Sequence, residues 1–184
     1  MRAATGSPDP FRNESLQWNR SASACTRATV ELPNEWLEFL SLLQRHDAKF
    51  VIVGAYAMAV HGRPRATQDI DVLIEPSVEN AERVAQALDE FGYSELAKES
   101  VEAFTHPPRM ASLGVPPLRI DVMNYIDGVP FAQAYAGALR ERVGGLDVRF
   151  LGLEDFVATK TASGRTKDLL DIELLKESGL WNED

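Results

Sequence analysis

The sequence is poor in cysteine, because Cys25 is the only one among 184 residues. A lone cysteine cannot form a disulfide within the chain, and it is not typical of a secreted protein held together by such cross-links. A domain of roughly 150 residues can bury about two-thirds of its unfolded surface without them. The composition, with 45% hydrophobic and 26% charged residues, predicts one compact domain in the cytoplasm.

Long apolar runs are also missing. The longest extends from Phe50 to Val60, far short of the roughly 20 residues that span a bilayer, so no membrane segment is predicted. Residues 1–30 lack the apolar centre of a secretory signal, and their polar, arginine-dotted composition predicts a disordered leader ahead of a domain at 31–180.

Positive charge is scarce, and the formal net charge is −9. Binding to nucleic acid regardless of sequence depends on neutralising phosphates with Lys and Arg, so this balance argues against it. The three histidines, His46, His61 and His106, lack the spacing of a zinc site. The sequence also has no G-x-S-x-G elbow of a serine hydrolase and no G-x-x-x-x-G-K-[ST] phosphate loop.

Hydrophobic periodicity predicts a chain in which helices and strands alternate. Helices are predicted at 35–46, 55–61, 78–91, 95–104, 131–139, 153–162 and 166–175. Strands are predicted at 49–53, 69–75, 110–115, 118–126, 140–143 and 146–151. Some neighbouring strands are joined by links too short for a crossover helix, which indicates antiparallel pairs. The predicted class is α+β (mixed α/β), with a small mixed sheet flanked by helices.

A glycine, Gly54, stands where the first predicted strand turns directly into a helix. The unpaired N–H groups of a helix's first turn, and the positive end of its dipole, suit a phosphate group. Glycine also lets a phosphate approach the backbone. The same pattern is common in ordinary turns, so this feature alone does not indicate a site.

Three aspartates supply the acidic part of a candidate site. Asp69 and Asp71 lie two residues apart on one predicted strand, so their carboxylates share a face about 7 Å apart. Two like charges at the edge of a core are costly unless a cation lies between them. Asp121, on another predicted strand, completes an all-oxygen set that suits Mg²⁺ or Mn²⁺.

The basic and polar residues near these aspartates have competing interpretations. Arg65, just before the Asp69–Asp71 pair, is predicted to contact phosphate or acceptor, with a solvated loop charge as the alternative. Thr67 is predicted to fix the loop by bonding local backbone beside the nucleotide. Lys167 and Asp171 are spaced as an i,i+4 surface pair on a helix.

The stretch VGAYAMAVHGRPRATQDIDVLIE resembles the signature of the nucleotidyltransferase superfamily, which has the DNA polymerase beta-like fold. That signature is a G-[GS] turn followed by D-x-D, with a later carboxylate on a separate strand. Within the superfamily, the stretch is most similar to the minimal and abortive-infection (AbiEii-like) types. The tail LEDFVATKTASGRTKDLLDI resembles their closing segment, in which a lysine precedes an arginine and a K-D-x-x-D run.

The resemblance implies roles for individual residues. Gly54 and Ala55 are expected to present backbone to a nucleoside triphosphate, and Lys160 to contact the nucleotide. Asp69, Asp71 and Asp121 are expected to bind metal, and Asp121 to help deprotonate the acceptor hydroxyl. Ala55 departs from the Gly or Ser of the pattern, so no serine hydroxyl is present there to donate to a phosphate.

These observations predict an enzyme that transfers a nucleoside monophosphate from a nucleoside triphosphate to a hydroxyl of an RNA end, a protein or a small molecule. The resemblance adds an expected place in a toxin–antitoxin or phage-defence system. One alternative is a catalytically silent nucleotide-binding partner of the same fold, acting with another protein. A metal-dependent phosphohydrolase is a second alternative, because it uses similar carboxylates.

Overall fold

A computed structural model describes residues 30–182 of the chain. These residues form seven helices: α1 (Asn34–Arg45), α2 (Gly54–Val60), α3 (Val78–Glu90), α4 (Ser94–Thr105), α5 (Phe131–Ala136), α6 (Leu153–Ser163) and α7 (Thr166–Glu177). They also form six strands: β1 (Phe50–Val53), β2 (Asp69–Ile74), β3 (Met110–Leu113), β4 (Arg119–Met123), β5 (Leu139–Val143) and β6 (Leu146–Phe150).

The strands make one mixed sheet in the order β3-β4-β2-β1-β6-β5. β2 pairs with β4 and β1 with β6 in parallel, and the other three neighbouring pairs are antiparallel. The hairpin of β5 and β6 turns at two residues, Gly144 and Gly145, as their left-handed backbone allows. This mixed sheet with flanking helices confirms the predicted α+β class.

The two faces of the sheet are covered by different helices, because side chains alternate along each strand. One face presents the buried residues Ile52, Ile70, Val72, Ile120 and Val122 to a core that includes α1, α3 and α4. The other face presents Val51, Val53 and Leu73 to a second core with residues of α2, α5, α6 and α7. The second face carries the aspartates at its edge.

Several element boundaries differ from the predicted ones. Helix α5 ends at Ala136 rather than at residue 139, because Gly137 is its C-cap and Leu139 already pairs with Phe150 in the hairpin. Strand β4 covers Arg119–Met123 rather than residues 118–126. Ser77, just before α3, caps that helix by accepting the Asn80 N–H.

The predicted leader, residues 1–30, lies outside the described residues except for Val30. That residue is buried in the same core as Trp36. None of the helices within residues 30–182 combines the length and the apolar character needed to cross a membrane.

Candidate active site

The parallel pairing of β2 with β4 brings the acidic residues together. Asp69 lies opposite Arg119 and Asp71 lies opposite Asp121 in the register of the two strands. Residues in register on neighbouring strands point to the same face of a sheet. The three aspartates therefore share one face and one edge, as the spacing in the sequence predicts, although their functions stay predictions.

The turn at Gly54 lies directly against Asp71. Gly54 has φ +63°, a left-handed conformation that L side chains rarely adopt. A Cβ at this position would lie 2.0 Å from Asp71 Oδ2. Glycine is therefore required twice here, for the backbone conformation and for the space that the carboxylate occupies. Ala55 is buried beneath the turn, whereas Gly54 lines the cavity described below.

The Arg119 guanidinium lies between two of the three carboxylates. Arg119 Nη2 donates to Asp69 Oδ2 and lies 3.0 Å from Asp121 Oδ2. Ser112 Oγ also donates to Asp121 Oδ1 at 2.6 Å. Asp69 and Asp121 therefore share a single counter-charge, that of Arg119, in this conformation. The sequence alone does not reveal the contact between Arg119 and Asp69, because it depends on the register of two strands that are distant in the chain.

Thr67 bonds local backbone at the entry to β2, as predicted, and it also contacts a carboxylate. Its hydroxyl lies 2.5 Å from Asp69 Oδ1 and 3.3 Å from the Asp69 carbonyl oxygen. The shorter contact is with a carboxylate, and a hydrogen bond to an ionised group is the stronger kind. Thr67 therefore orients a candidate metal ligand as well as the loop.

Asp71 differs from the other two aspartates in having no partner. Within residues 30–182, no side chain makes a hydrogen bond or an ion pair with its carboxylate. Burial raises the pKa of Asp71 to about 6, and the charges of Asp69 and Asp121 add to the rise. Lys160 and Lys167 lower that pKa, but their effect is smaller. A cation beside this carboxylate would lower its pKa and stabilise its ionised form.

A cavity of about 330 Å³ opens beside Asp71. Its wall carries four basic side chains, Arg65, Lys160, Arg165 and Lys167, and two acidic ones besides Asp71, namely Asp127 and Asp168. Met123, Tyr125, Ile126 and Phe156 supply an apolar part of the lining. An anionic ligand with a flat or apolar portion fits this combination of four basic residues, three acidic residues and an apolar wall, with a cation to offset the carboxylates.

Lys160 is held in the wall by two carboxylates of α7. Its Nζ donates to Asp168 Oδ1 and lies 3.1 Å from Asp171 Oδ2. All three residues are buried. Burial would raise the pKa of Asp168, but hydrogen bonds from Lys160 and Ser163 outweigh that effect and lower it. The lysine is therefore fixed in position beside the cavity.

The predicted surface pair of Lys167 with Asp171 is wrong. Asp171 is buried and faces Lys160 and Arg65, whose Nε lies 3.4 Å from Asp171 Oδ1. Lys167 lines the cavity instead. An i,i+4 spacing shows that two residues can meet on a helix, but here α6 and the Arg65 loop supply stronger partners for the carboxylate. The K-D-x-x-D pattern was the signal that α7 faces the site.

The three aspartate carboxylates suit a hard divalent cation, but Arg119 already contacts two of them. Carboxylate oxygens are the ligands that Mg²⁺ and Mn²⁺ prefer, and Asp71 is a largely buried carboxylate without a counter-ion. Among residues 30–182, no three acidic, His or Cys side chains are already arranged to hold a metal ion. Arg119 lies between Asp69 and Asp121 and contacts both carboxylates.

Comparison with known protein families identifies the family of the chain. A family model described as nucleotidyltransferase of unknown function (DUF6036) matches residues 34–182. The chain has no significant match among curated proteins. A solved candidate nucleotidyltransferase from Thermotoga maritima is 15% identical with a TM-score of 0.45, covering 80% of this chain and 95% of that one. The lincomycin-bound lincosamide antibiotic adenylyltransferase LnuA is 14% identical with a TM-score of 0.45, covering 79% of this chain and 97% of that one.

Proposed function

Because the chain belongs to the DUF6036 family of nucleotidyltransferases, we propose that it transfers a nucleoside monophosphate from a nucleoside triphosphate to a hydroxyl acceptor. The acceptor oxygen forms a bond to the α-phosphorus, and the bond from that phosphorus to the pyrophosphate oxygen breaks. The hydroxyl proton goes to a carboxylate, and pyrophosphate leaves. Little covalent chemistry is asked of the protein, so positioning and charge compensation supply most of the rate gain.

One observation carries this proposal. Asp71 is a largely buried carboxylate without a hydrogen-bonding or ion-pair partner in the described part of the chain, and it faces a cavity with four basic side chains. An unpartnered carboxylate beside a cationic wall suits a ligand that brings both a metal ion and phosphates. The left-handed turn at Gly54 leaves room for that carboxylate.

Asp69, Asp71 and Asp121 are the residues that would hold Mg²⁺ or Mn²⁺. A divalent ion bound to these carboxylates neutralises the charge that develops on the phosphates during transfer. The protein contributes Thr67, which fixes the Asp69 carboxylate, and Ser112, which fixes that of Asp121. Arg119 must leave the space between Asp69 and Asp121 for both to take part.

The triphosphate would lie along the basic wall of the cavity. Lys167 is the best candidate for its first contact, since it makes no ion pair with any residue in the 30–182 range. Lys160 and Arg65 are partly neutralised by Asp171, and they help to position the ligand rather than to attract it. Gly54 offers its backbone, with Ala55 packed behind it.

Asp121 is proposed as the group that takes the acceptor proton, a role that the resemblance in the sequence implies. Its Oδ1 already accepts the Ser112 hydroxyl, so Oδ2, which faces Arg119, is the oxygen left for that task.

The proposal is tested by incubating the protein with each of the four α-³²P-labelled nucleoside triphosphates and Mg²⁺ or Mn²⁺. Total RNA, total protein and a pooled small-molecule extract are supplied as separate acceptors. Transfer of label to one acceptor class, with release of pyrophosphate, is the expected result. Release of inorganic phosphate without labelled acceptor would instead indicate a phosphohydrolase.

The matched controls are Asp71→Asn in the site and Asp89→Asn, an exposed carboxylate outside it. Asp71→Asn removes the unpartnered carboxylate while keeping its size, so transfer should fall by at least a hundredfold. Asp89→Asn should transfer label at the rate of the unmodified protein. Equal rates in all three proteins would overturn the assignment of the site.

A second candidate function is a silent nucleotide-binding partner of another protein. The observation that favours it is the Arg119 guanidinium, which forms ion pairs with both Asp69 and Asp121 and occupies the space between them. Nucleotide binding that is unchanged by chelation, together with no transfer to any acceptor, would support this alternative. The AbiEii-like subtype and a role in a toxin–antitoxin or phage-defence system stay predictions from the resemblance.

A further inference from the structure

A second, apolar cavity of about 430 Å³ lies next to the candidate active site. The two cavities share Tyr125 and Ile126 as lining residues. Leu73 also lines the second cavity, and it lies two residues after Asp71 on the same face of β2. A strand advances about 7 Å over two residues, so the two cavities are neighbours along the sheet.

The lining of the second cavity is apolar and uncharged. It includes Leu73, Val129, Phe131 and the three prolines Pro76, Pro107 and Pro130. No Asp, Glu, Lys or Arg of the described chain contributes to it. Such a wall stabilises a hydrophobic group by excluding water, and it offers no counter-ion to a phosphate.

The polar side chain in this wall is not available to a ligand. Asn124 is buried, and its Nδ2 donates to the Phe104 carbonyl at 2.9 Å. Its Oδ1 accepts the Arg109 N–H at 2.7 Å. Both ends of the amide are thus used to hold the chain. The Tyr125 side chain is 48% exposed and lines both cavities, so it is accessible to a ligand in either one.

We propose that the second cavity binds the acceptor, and that the acceptor is an uncharged small molecule with a largely apolar body and a hydroxyl group. The inference rests on the proposed nucleotide transfer. The apolar body fills the space beside Leu73 and Phe131, and the hydroxyl is directed past Tyr125 and Ile126 toward Asp71. The triphosphate keeps to the basic cavity.

The charges favour this acceptor over an RNA end. The four basic residues of the neighbouring cavity are positioned for the triphosphate of the donor nucleotide. A second set would be needed for the phosphates of an RNA strand, and the apolar cavity has none within the described residues. The formal net charge of −9 adds a general repulsion.

The test uses benzyl alcohol as a neutral apolar alcohol, followed by methyl NMR of the full chain. Shifts of the Leu73, Ile126 and Val129 methyl signals are expected, and they should persist when a nucleotide with Mg²⁺ is already bound. A short single-stranded RNA should leave these signals unmoved. The replacement Pro130→Trp, at an exposed residue of the wall, should weaken the binding of benzyl alcohol at least tenfold, because the larger side chain fills the cavity.

The matched control is Val115→Trp, the same replacement at a residue that is 73% exposed and lies outside both cavities. It should bind benzyl alcohol like the unmodified chain. The inference is overturned if the alcohol leaves the three methyl signals unmoved, or if Pro130→Trp binds it with unchanged affinity. It is also overturned if the RNA shifts those signals, or if labelled nucleotide is transferred to RNA or protein.

This test separates the inference from the transfer reaction on which it rests. Transfer of label to RNA with no binding of benzyl alcohol would retain the proposed function and reject the acceptor class. Specific binding of the alcohol, blocked by Pro130→Trp, supports the cavity as a ligand site even where no nucleotide is transferred. In that case the transfer reaction is the part that fails.

Discussion

Asp71 lies so close over Gly54 that a single methyl group at residue 54 would overlap its carboxylate, at 2.0 Å from Oδ2. The turn and the aspartate are therefore one structural unit, although 17 positions separate their numbers in the chain. The first prediction follows from this contact.

Gly54→Ala should destabilise the fold by about 2 kcal/mol or more. It combines left-handed strain, about 1–2 kcal/mol, with an overlap that forces Asp71 to move. Nucleotide binding should be lost with it. Urea denaturation measures the first effect and calorimetric titration the second.

Gly92→Ala is the matched control for this substitution. Gly92 has φ +96°, but an added Cβ would meet nothing within 4 Å. It should therefore show the strain alone and keep nucleotide binding. Equal losses of stability in the two variants, with binding retained in both, would contradict the contact between Gly54 and Asp71.

The second prediction concerns the pH dependence of Asp71 in a metal-free buffer. Its pKa is raised to about 6 in the folded chain from an ordinary value of 3.8, so the ionised form destabilises the fold. Asp71→Asn should therefore be more stable than the unmodified chain at pH 7.5, by up to about 3 kcal/mol.

The advantage of Asp71→Asn should shrink as the pH falls through 6 and should vanish near 3.8, since the carboxyl is then protonated in both the folded and the unfolded chain. Urea denaturation of both proteins at a series of pH values, with chelator present, measures this difference in the free energy of unfolding. An advantage that does not change with pH would show that the repulsion around Asp71 is not its cause.

The third prediction separates the two lysines of the cavity. Lys160→Ala leaves the buried carboxylates of Asp168 and Asp171 without their closest cation, and breaking a buried pair costs about 3–5 kcal/mol. Lys167→Ala breaks no ion pair within the described chain and should leave stability nearly unchanged. Thermal denaturation compares the two.

The effects of these two substitutions on nucleotide affinity should not follow their effects on stability. Lys167→Ala should raise the Kd of the triphosphate by about tenfold, roughly the loss of one exposed charge contact. A Lys167→Ala variant that binds nucleotide normally would remove this residue from the proposed phosphate site.

The fourth prediction concerns Arg119. Arg119→Ala removes the cation between Asp69 and Asp121, so the chain should melt at a lower temperature in chelator. Adding Mg²⁺ should raise that temperature more than it does for the unmodified chain, because the ion no longer competes with the guanidinium. The same rise in both proteins would show that metal does not enter this space.

The sequence predicts most of the elements because each depends on local pattern. The run DIDVLI alternates over its first four residues and is rich in β-branched side chains, as is typical of a strand, and Ser77 caps α3. Contacts between distant elements could not be predicted in that way. The bridge from Arg119 to Asp69 requires the register of β2 with β4, and the burial of Asp171 requires the packing of α7 on α6.

The candidate site also combines features that follow from local spacing with features that depend on contacts between distant elements. The D-x-D spacing places Asp69 and Asp71 on one face from local geometry alone. That Asp121 lies opposite Asp71, and that Lys160 is fixed by two carboxylates, follows from how the chain folds back on itself. Residue type and spacing can suggest such partners, but they do not supply distances.

The most direct measurement of the central claim is nucleotide transfer by the double variant Asp69→Asn with Asp71→Asn. Removing two proposed metal ligands should abolish transfer of the α-³²P label, while the loss of like-charge repulsion keeps the chain folded and at least as stable at pH 7.5. Activity and stability should thus move in opposite directions. A folded double variant that still transfers label at the rate of the unmodified chain would contradict the claim.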